Sequence, residues 1–439
     1  MTATPPASPL AQDWKQLLFT RRMLICVFTG FSSGLPLYIL INLVPAWLKT
    51  EHVDLKLIGL VGLTQIPYTW KFFWAPLMDR FSLPRLGRRR GWMLATQLLL
   101  LVSIAVFGVF SPTAGLTSIV ELAVLVALCS ASQDIVLDAF RREILADAEL
   151  GLGNAVHVNA YRIAGLVPGS LSLILADHLP WSSVFCITAL FMLPGIVLTL
   201  LVSEPQLARP PKTLREAVIE PFHEFMTRHG WQAALAIIAF IFLYKLGDSM
   251  ATALATPFYL ELGFTKSEIG LIAKNAGLWP SVIGGMLGGI WMLKIGINRA
   301  LWLFGLVQMA SILGFAWLSS IGHDPALLGA IHFDGFDFGH AISYKQAALA
   351  AVIGFEALGV GLGTAAFVAF IARTTDPRYT ATQIALFTSL AAVPRTFFNA
   401  STGWLVERLG WTDFFWLCAL LAIPGMMLLF RVAPWSEKH

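Results

Sequence analysis

The sequence predicts an all-α polytopic membrane protein whose twelve spans form two six-helix halves. Composition, the spacing of apolar runs and an internal repeat carry that reading. Apolar residues make up 57% of the 439, charged residues 13%, and mean hydropathy is +0.72. A soluble chain of this size would have too little polar surface to face water, whereas spans of ~20 mostly apolar residues need this composition. The 31 Phe and 15 Trp suit lipid-facing surfaces and interfacial belts. Cys26, Cys129, Cys186 and Cys418 all lie in apolar stretches without the paired spacing of a zinc or redox site, and read as packing residues. The first 20 residues are too polar for a secretory core, so the first span is expected to act as an uncleaved membrane signal.

Apolar runs between charged or turn-rich breaks place spans one to six near 22–48, 56–78, 91–110, 116–140, 153–178 and 182–203. Spans seven to twelve fall near 231–260, 267–293, 299–321, 346–371, 380–406 and 411–432. With the N-terminus inside, twenty basic residues fall on the cytoplasmic side and five on the other. That bias places both termini in the cytoplasm. The expected organisation is a cytoplasmic segment 1–21, a bundle 22–203, a cytoplasmic linker 204–230, a second bundle 231–432 and a tail 433–439. The linker is the longest polar stretch and holds Pro205, Pro210, Pro211 and Pro221. An outer loop, 322–343, carries His323, Asp324, His332, Asp334, Asp337 and His340; it reads as a solvated loop more readily than as a metal site. No metal, cofactor or nucleic-acid partner is expected.

The halves resemble each other. Pro45-Ala46-Trp47-Leu48, a charged turn and Ile58-Gly59-Leu60 are matched by Pro257-Phe258-Tyr259-Leu260, a charged turn and Ile269-Gly270-Leu271. Spans five and eleven each carry Val-Pro, at Val167-Pro168 and Val393-Pro394. Both copies enter the membrane from the same side, so the repeat is parallel. Parallel six-helix halves are the major facilitator architecture, which places substrate between the halves near the bilayer midplane. After span two, Asp79-Arg80 followed by Gly87-Arg88-Arg89-Arg90 resembles the gating signature of that superfamily. Asp79, Arg80, Arg88 and Arg89 are the expected gating residues, pairing carboxylate with guanidinium across helix ends. Lys294 to Arg299 holds the matching place in reduced form.

Ionisable residues inside a membrane cost ~2.5–3.5 kcal/mol each even on lenient scales, so they mark polar cavities or pairs. Here they are Lys71, Asp134, Asp138, Arg162, Lys245, Asp248, Lys274, Glu356 and Arg395. Asp134, Asp138 and Arg141 or Arg142 share a face of span four. A carboxylate held there can carry a coupling proton; equally, Asp138 can simply pair with Arg141 or Arg142. Span ten has no acid in the corresponding place, so the pair is one-sided. Lys245 and Asp248, three apart on span seven, either neutralise each other or form a switch for a proton or an anion. Asp134, Asp138 and Asp248 are thus the candidate proton-coupling residues. Arg162, Lys274 and Arg395 lack a local acidic partner, which favours a cavity that receives anions.

At these residues the chain resembles the AmpG-type muropeptide permeases. The likeness rests on Ala131 to Arg141, on Ile66 to Phe72 leading to Trp74-Ala75-Pro76-Leu77, and on Gly87 to Trp92. Ala160-Tyr161-Arg162, Leu243 to Asp248, Pro257 to Leu260, and Gly263 through Lys274 extend it over most of the chain. The resemblance implies proton-driven import of N-acetylglucosaminyl-1,6-anhydro-N-acetylmuramyl peptides across a bacterial inner membrane for cell-wall recycling. It implies an anionic sugar-peptide substrate, met by Gln133, Tyr161, Arg162, Lys245, Lys274 and Arg395, with protons and the lipid bilayer as the other partners. Trp47, Tyr161 and Trp279 are aromatic candidates for stacking on sugar or for interfacial packing. Phe140 stands where that family leads one to expect Tyr, and some relatives carry further C-terminal helices. An alternative is carriage of another anionic metabolite, such as an acyl-CoA or a peptide-like solute. An enzyme is disfavoured, because no nucleophile–base pair, H-E-x-x-H or phosphate-cradling loop is present.

Overall fold

The computed structural model describes residues 14–53, 66–83, 86–204, 213–264, 266–321, 330–331 and 342–435. Among these, nine helices are long and apolar enough to cross a membrane. They are Arg21–Thr50, Arg88–Phe107, Gly115–Ile144, Asp147–Ala176, Trp181–Leu201, Trp231–Glu261, Asn275–Ile321, Tyr344–Thr374 and Trp411–Val432. Asn275–Ile321 breaks at Gly296, whose φ of 78° suits a residue without Cβ, and so contains spans eight and nine. Span eleven is Thr380–Phe397 continued by Thr402–Leu409, and the described part of span two is Ile66–Trp70, Lys71–Phe73 and Ala75–Arg80. The described helices are consistent with the twelve predicted spans. Spans one and five each contain a wide π-helical turn, Ile39–Leu43 just before Pro45 and Val167–Leu171 around Pro168. A proline lacks the N–H that would close the ordinary turn, so the backbone widens there. In the outer loop, Ala330–Ile331 pairs antiparallel with Ile342–Ser343, a short ladder that composition did not foretell. The loop's six His and Asp residues lie outside the described residues.

By its contacts the chain forms two compact units. The first is Met1–Phe222 with Gly289–Gly296 and Ile371–Leu386; the second is His223–Gly288, Ile297–Phe370 and Phe387–His439. Two stretches that belong to the second half by sequence therefore pack within the first unit.

Each unit repeats the other's packing. In the first, Phe185 is the hub for Trp47, Phe107 and Trp181, with ring centroids at 5.0, 5.4 and 6.1 Å. In the second, Phe415 is the hub for Phe258, Phe315 and Trp411, at 4.9, 5.4 and 5.9 Å. Trp47 is 1% exposed, so it is consumed by this cluster rather than offered to a sugar. Helix ends repeat as well. Arg90 donates to the carbonyls of Thr199 and Leu200 at the end of span six, and Arg299 donates to that of Trp435 beyond span twelve. These guanidiniums satisfy or flank chain-end carbonyls that have no partner inside their own helix.

Within the first unit, Gly30 and Gly34 fix span one against span five. A Cβ on them would stand 2.1 Å from the His157 carbonyl oxygen and 2.3 Å from that of Tyr161. Small residues four apart let two backbones touch, which is how membrane helices pack without a hydrophobic driving force. The contact sets the register of span five against span one.

Candidate functional site

The first unit contains a buried charge cluster where spans two, three, four and eleven end. Asp79 and Arg89 are fully buried. Arg89 Nη2 donates to Asp79 Oδ1 at 2.8 Å and to Glu143 Oε1 at 2.6 Å; Arg88 Nη2 reaches Glu143 Oε1 at 3.2 Å. Two cations and two anions balance, which is what lets such a cluster persist in a low-dielectric interior. The other carboxylate oxygen of Asp79 accepts the Thr382 N–H at 2.8 Å and its hydroxyl at 2.7 Å. Thr382 is in the first turn of Thr380–Phe397, so Asp79 caps the positive end of that helix. Glu204 does the same for span three, accepting the N–H groups of Arg89 and Arg90 at 2.7 and 3.0 Å. Arg80 stands apart from this cluster: its Nε lacks a hydrogen-bond partner and its guanidinium lies 5.4 Å from the Phe81 ring.

A second polar layer runs deeper along span four. Ser33 of span one donates to Asp134 Oδ1 at 2.5 Å. Gln133, fully buried, donates to the Ser32 carbonyl and hydroxyl, both at 2.9 Å, and leaves its own Oε1 unsatisfied. Asp138 Oδ1 lies 2.8 Å from Arg141 Nη1, whose Nε donates to Asn154 at 2.7 Å. The same Asp138 oxygen lies 4.0 Å from His157 Nε2. Lys71 is buried, and the buried Tyr68 hydroxyl has no partner. Tyr161 sits with its ring 5.7 Å from that of Tyr38, and Arg162 follows it, half-buried, in the last turn of Leu150–Ala164. An unsatisfied hydroxyl, an unsatisfied amide oxygen and several charges thus lie together on neighbouring helices of the first unit.

In the second unit Lys245 and Asp248 are 3.9 Å apart, and Lys245 also donates to Thr364 at 3.1 Å. Asp248 Oδ1 has no hydrogen-bond partner. It lines a small cavity with Tyr244, Gln308, Met309 and Met426. Lys274 and Arg395 lie on helices Lys266–Ile321 and Thr380–Phe397, but their side chains fall outside the described residues.

The predicted residues thus fall into three groups: Asp79, Arg88 and Arg89; Gln133, Asp134, Asp138, Tyr161 and Arg162; and Lys245 with Asp248. Sequence reasoning missed Glu143, Glu204, Thr382, Ser33 and His157. Glu143 was the visible one, since it directly follows Arg141-Arg142. The rest meet their partners only through folding, at separations of 101 residues for Ser33 and 303 for Thr382.

The described residues form long apolar helices with polar layers buried among them, which is the setting of a membrane transporter. The chain belongs to the Major Facilitator Superfamily, whose signature matches residues 26–344. It is a multi-pass membrane transporter, not an enzyme. It superposes on a proton:xylose symporter bound to 6-bromo-6-deoxy-D-glucose with a TM-score of 0.67 and 10% identity, covering 94% of this chain and 95% of that one. The transporter FucP in its outward conformation gives 0.67 and 12%, covering 96% and 99%. At such identities the likeness speaks for the fold alone. Within the superfamily the chain is one of the AmpG-type permeases. It is 41% identical over 423 residues to the anhydromuropeptide permease of Escherichia coli K12, covering 96% of this chain and 81% of that protein. It is 49% identical over 430 residues to an uncharacterized protein of Haemophilus influenzae, covering 96% and 97%. A putative transporter of Rickettsia conorii, called AmpG 4, is 31% identical, covering 91% and 94%.

Proposed function

We propose that this transporter imports anhydromuropeptides from periplasm to cytoplasm across the bacterial inner membrane, coupled to inward proton movement. The observation that carries the substrate is the 41% identity to the Escherichia coli anhydromuropeptide permease, which extends over 96% of the chain. Chemistry supports it. The substrate class carries several carboxylates, and Lys71, Arg162 and Lys245 bring positive charge into membrane helices where a neutral solute would need none. Asp134 and Asp138 are the proton carriers in this reading. Asp134 is held by a neutral hydroxyl, that of Ser33, which can bond either protonation state. Asp248, on span seven and competed for by Lys245, is the candidate proton carrier of the second unit. Alternating access then works by making and breaking the Asp79–Arg89–Glu143 cluster, with both termini and the linker on the cytoplasmic side.

The test is uptake of labelled anhydromuropeptide into proteoliposomes under an inward proton gradient. Accumulation that collapses with a protonophore is expected. Gradient-independent equilibration would refute the coupling, and robust transport of another organic anion without muropeptide uptake would refute the substrate.

A further inference from the structure

His157 is buried in span five, where the Gly30 contact holds its backbone against span one. Its Nδ1 lies 3.2 Å from Thr29 Oγ1. Thr29 has a single hydroxyl proton, and its oxygen also lies 2.8 Å from the Ile25 carbonyl, an acceptor only. With that proton committed to Ile25, the Thr29 oxygen is left as an acceptor, so His157 Nδ1 carries the hydrogen between them. Neutral His157 then has a bare lone pair on Nε2. That nitrogen faces Asp138 Oδ1 at 4.0 Å. Two acceptors facing each other leave room for one proton between them.

Asp138 has one other charged neighbour, the Arg141 guanidinium, ion-paired with the same Oδ1. Arg141 Nη1 approaches to 2.8 Å but is out of line for a hydrogen bond, and it is left unsatisfied; the well-formed bond of Arg141 runs from Nε to Asn154. The charged and titratable groups facing His157 are Asp138 and Arg141 from span four and, on the same face of span one, the Cys26 thiol; Asp134 is one turn away on span four.

We infer that His157 is a proton-relay residue that takes the coupling proton from Asp138; this rests on the proton-coupled reading above. In the step, the O–H bond of protonated Asp138 breaks and an N–H bond forms at His157 Nε2. The imidazolium keeps its Nδ1 hydrogen on Thr29, and the freed Asp138 carboxylate is taken up by Arg141. A movement of about 1 Å by the carboxylate brings its oxygen from 4.0 Å to hydrogen-bond range. His157 sits near the start of span five, so the relay carries the proton from Asp134 through Asp138 towards the end of the bundle that holds the Asp79 cluster.

The experiment uses the full chain in proteoliposomes and His157→Gln, which keeps size and polarity. Two rates are measured: exchange of labelled anhydromuropeptide at equal pH on both sides, and accumulation under an inward proton gradient. Exchange within about threefold of wild type, with accumulation falling on the order of tenfold or more, is expected of a lost relay. Accumulation at the wild-type level overturns the inference, and so does equal loss of both rates, which marks a packing role. If wild type itself ignores the gradient, the coupling reading has failed; the relay is then judged by 15N spectra of histidine-labelled protein. The His157 Nε2 signal, assigned by its absence in His157→Gln, should titrate differently in Asp138→Asn, and an unchanged titration overturns the inference.

Discussion

Replacing Asp79 by asparagine should unlock the face of the first unit where spans two, three and four meet the start of span eleven. Asp79 is fully buried and accepts one hydrogen bond from Arg89 at 2.8 Å, two from Thr382 at 2.8 and 2.7 Å, and a longer one from the Ala381 N–H at 3.4 Å. Asparagine supplies one acceptor oxygen and an NH2 group with two donors. If its oxygen stays with Arg89, its NH2 group faces the two Thr382 donors; if flipped, it faces Arg89. Each charge-assisted bond contributes about 1.5–3 kcal/mol, and unpairing a buried charge costs about 3–5 kcal/mol. Arg89 keeps Glu143, so the lower end applies, about 3 kcal/mol. At 1.4 kcal/mol per tenfold, the open population rises by about a hundredfold. Alkylation of a buried cysteine reads that population. Ala139 is 0% exposed and packs with Met78, Met93, Ala381 and Ala385, so Ala139→Cys is the reporter, with the exposed Cys186 replaced by serine. The alkylation rate should rise by about two orders of magnitude with Asp79→Asn, and by about tenfold with Thr382→Val. An unchanged rate in Asp79→Asn would show that the cluster holds nothing shut.

Three further outcomes are expected. Asp134→Asn and Arg162→Ala should abolish muropeptide accumulation while leaving membrane insertion and thermal melting near wild type; wild-type uptake in both would clear them of a central role. Gly30→Val should cost about 1–3 kcal/mol or more through overpacking, seen as a lower Tm, because its side chain meets the His157 carbonyl at 2.1 Å, backbone that cannot swing away; an unchanged Tm would contradict the packing described. In the linker helix Leu214–His229, the Tyr379 hydroxyl donates to Glu220. Burial, then that hydrogen bond, pushes the phenol up to about 12. A raised value means the stabilisation is complete below the ordinary phenol range and fades only as pH rises through about 12, so tryptic cleavage of the linker, taken relative to an unstructured peptide at each pH, should be flat between pH 6 and 9 in wild type. Tyr379→Phe should speed that cleavage about tenfold, from loss of a bond to a charged group worth about 1.5–3 kcal/mol.

Much of the frame was legible beforehand because membrane solvation writes itself into sequence. A segment that must satisfy its own backbone in lipid becomes a long apolar helix, and basic residues stay out of translocated loops, so spans and expected topology follow from local composition. The same argument exposed Asp134, Asp138, Lys245 and Asp248, since a charge at membrane depth is conspicuous on the page. The Asp79–Arg88–Arg89 set was visible as a motif because its members lie within a dozen residues.

What only tertiary structure decided is which of these groups meet. Ser33 and Asp134 are 101 residues apart, Asp79 and Thr382 are 303 apart, and each is chemically ordinary until helices bring them within 3 Å. Trp47 looked like a sugar platform as easily as a packing group; the hub around Phe185 made it packing. His157 gave no signal at all, because a histidine near a helix end is unremarkable until a glycine contact pins it opposite a carboxylate. Sequence alone determined the solvent, the helices and their charges, because those follow from each segment's own exchange with lipid and water. The pairing of charges was left to the fold, because Coulomb and hydrogen-bond energies depend on distances that no local pattern contains.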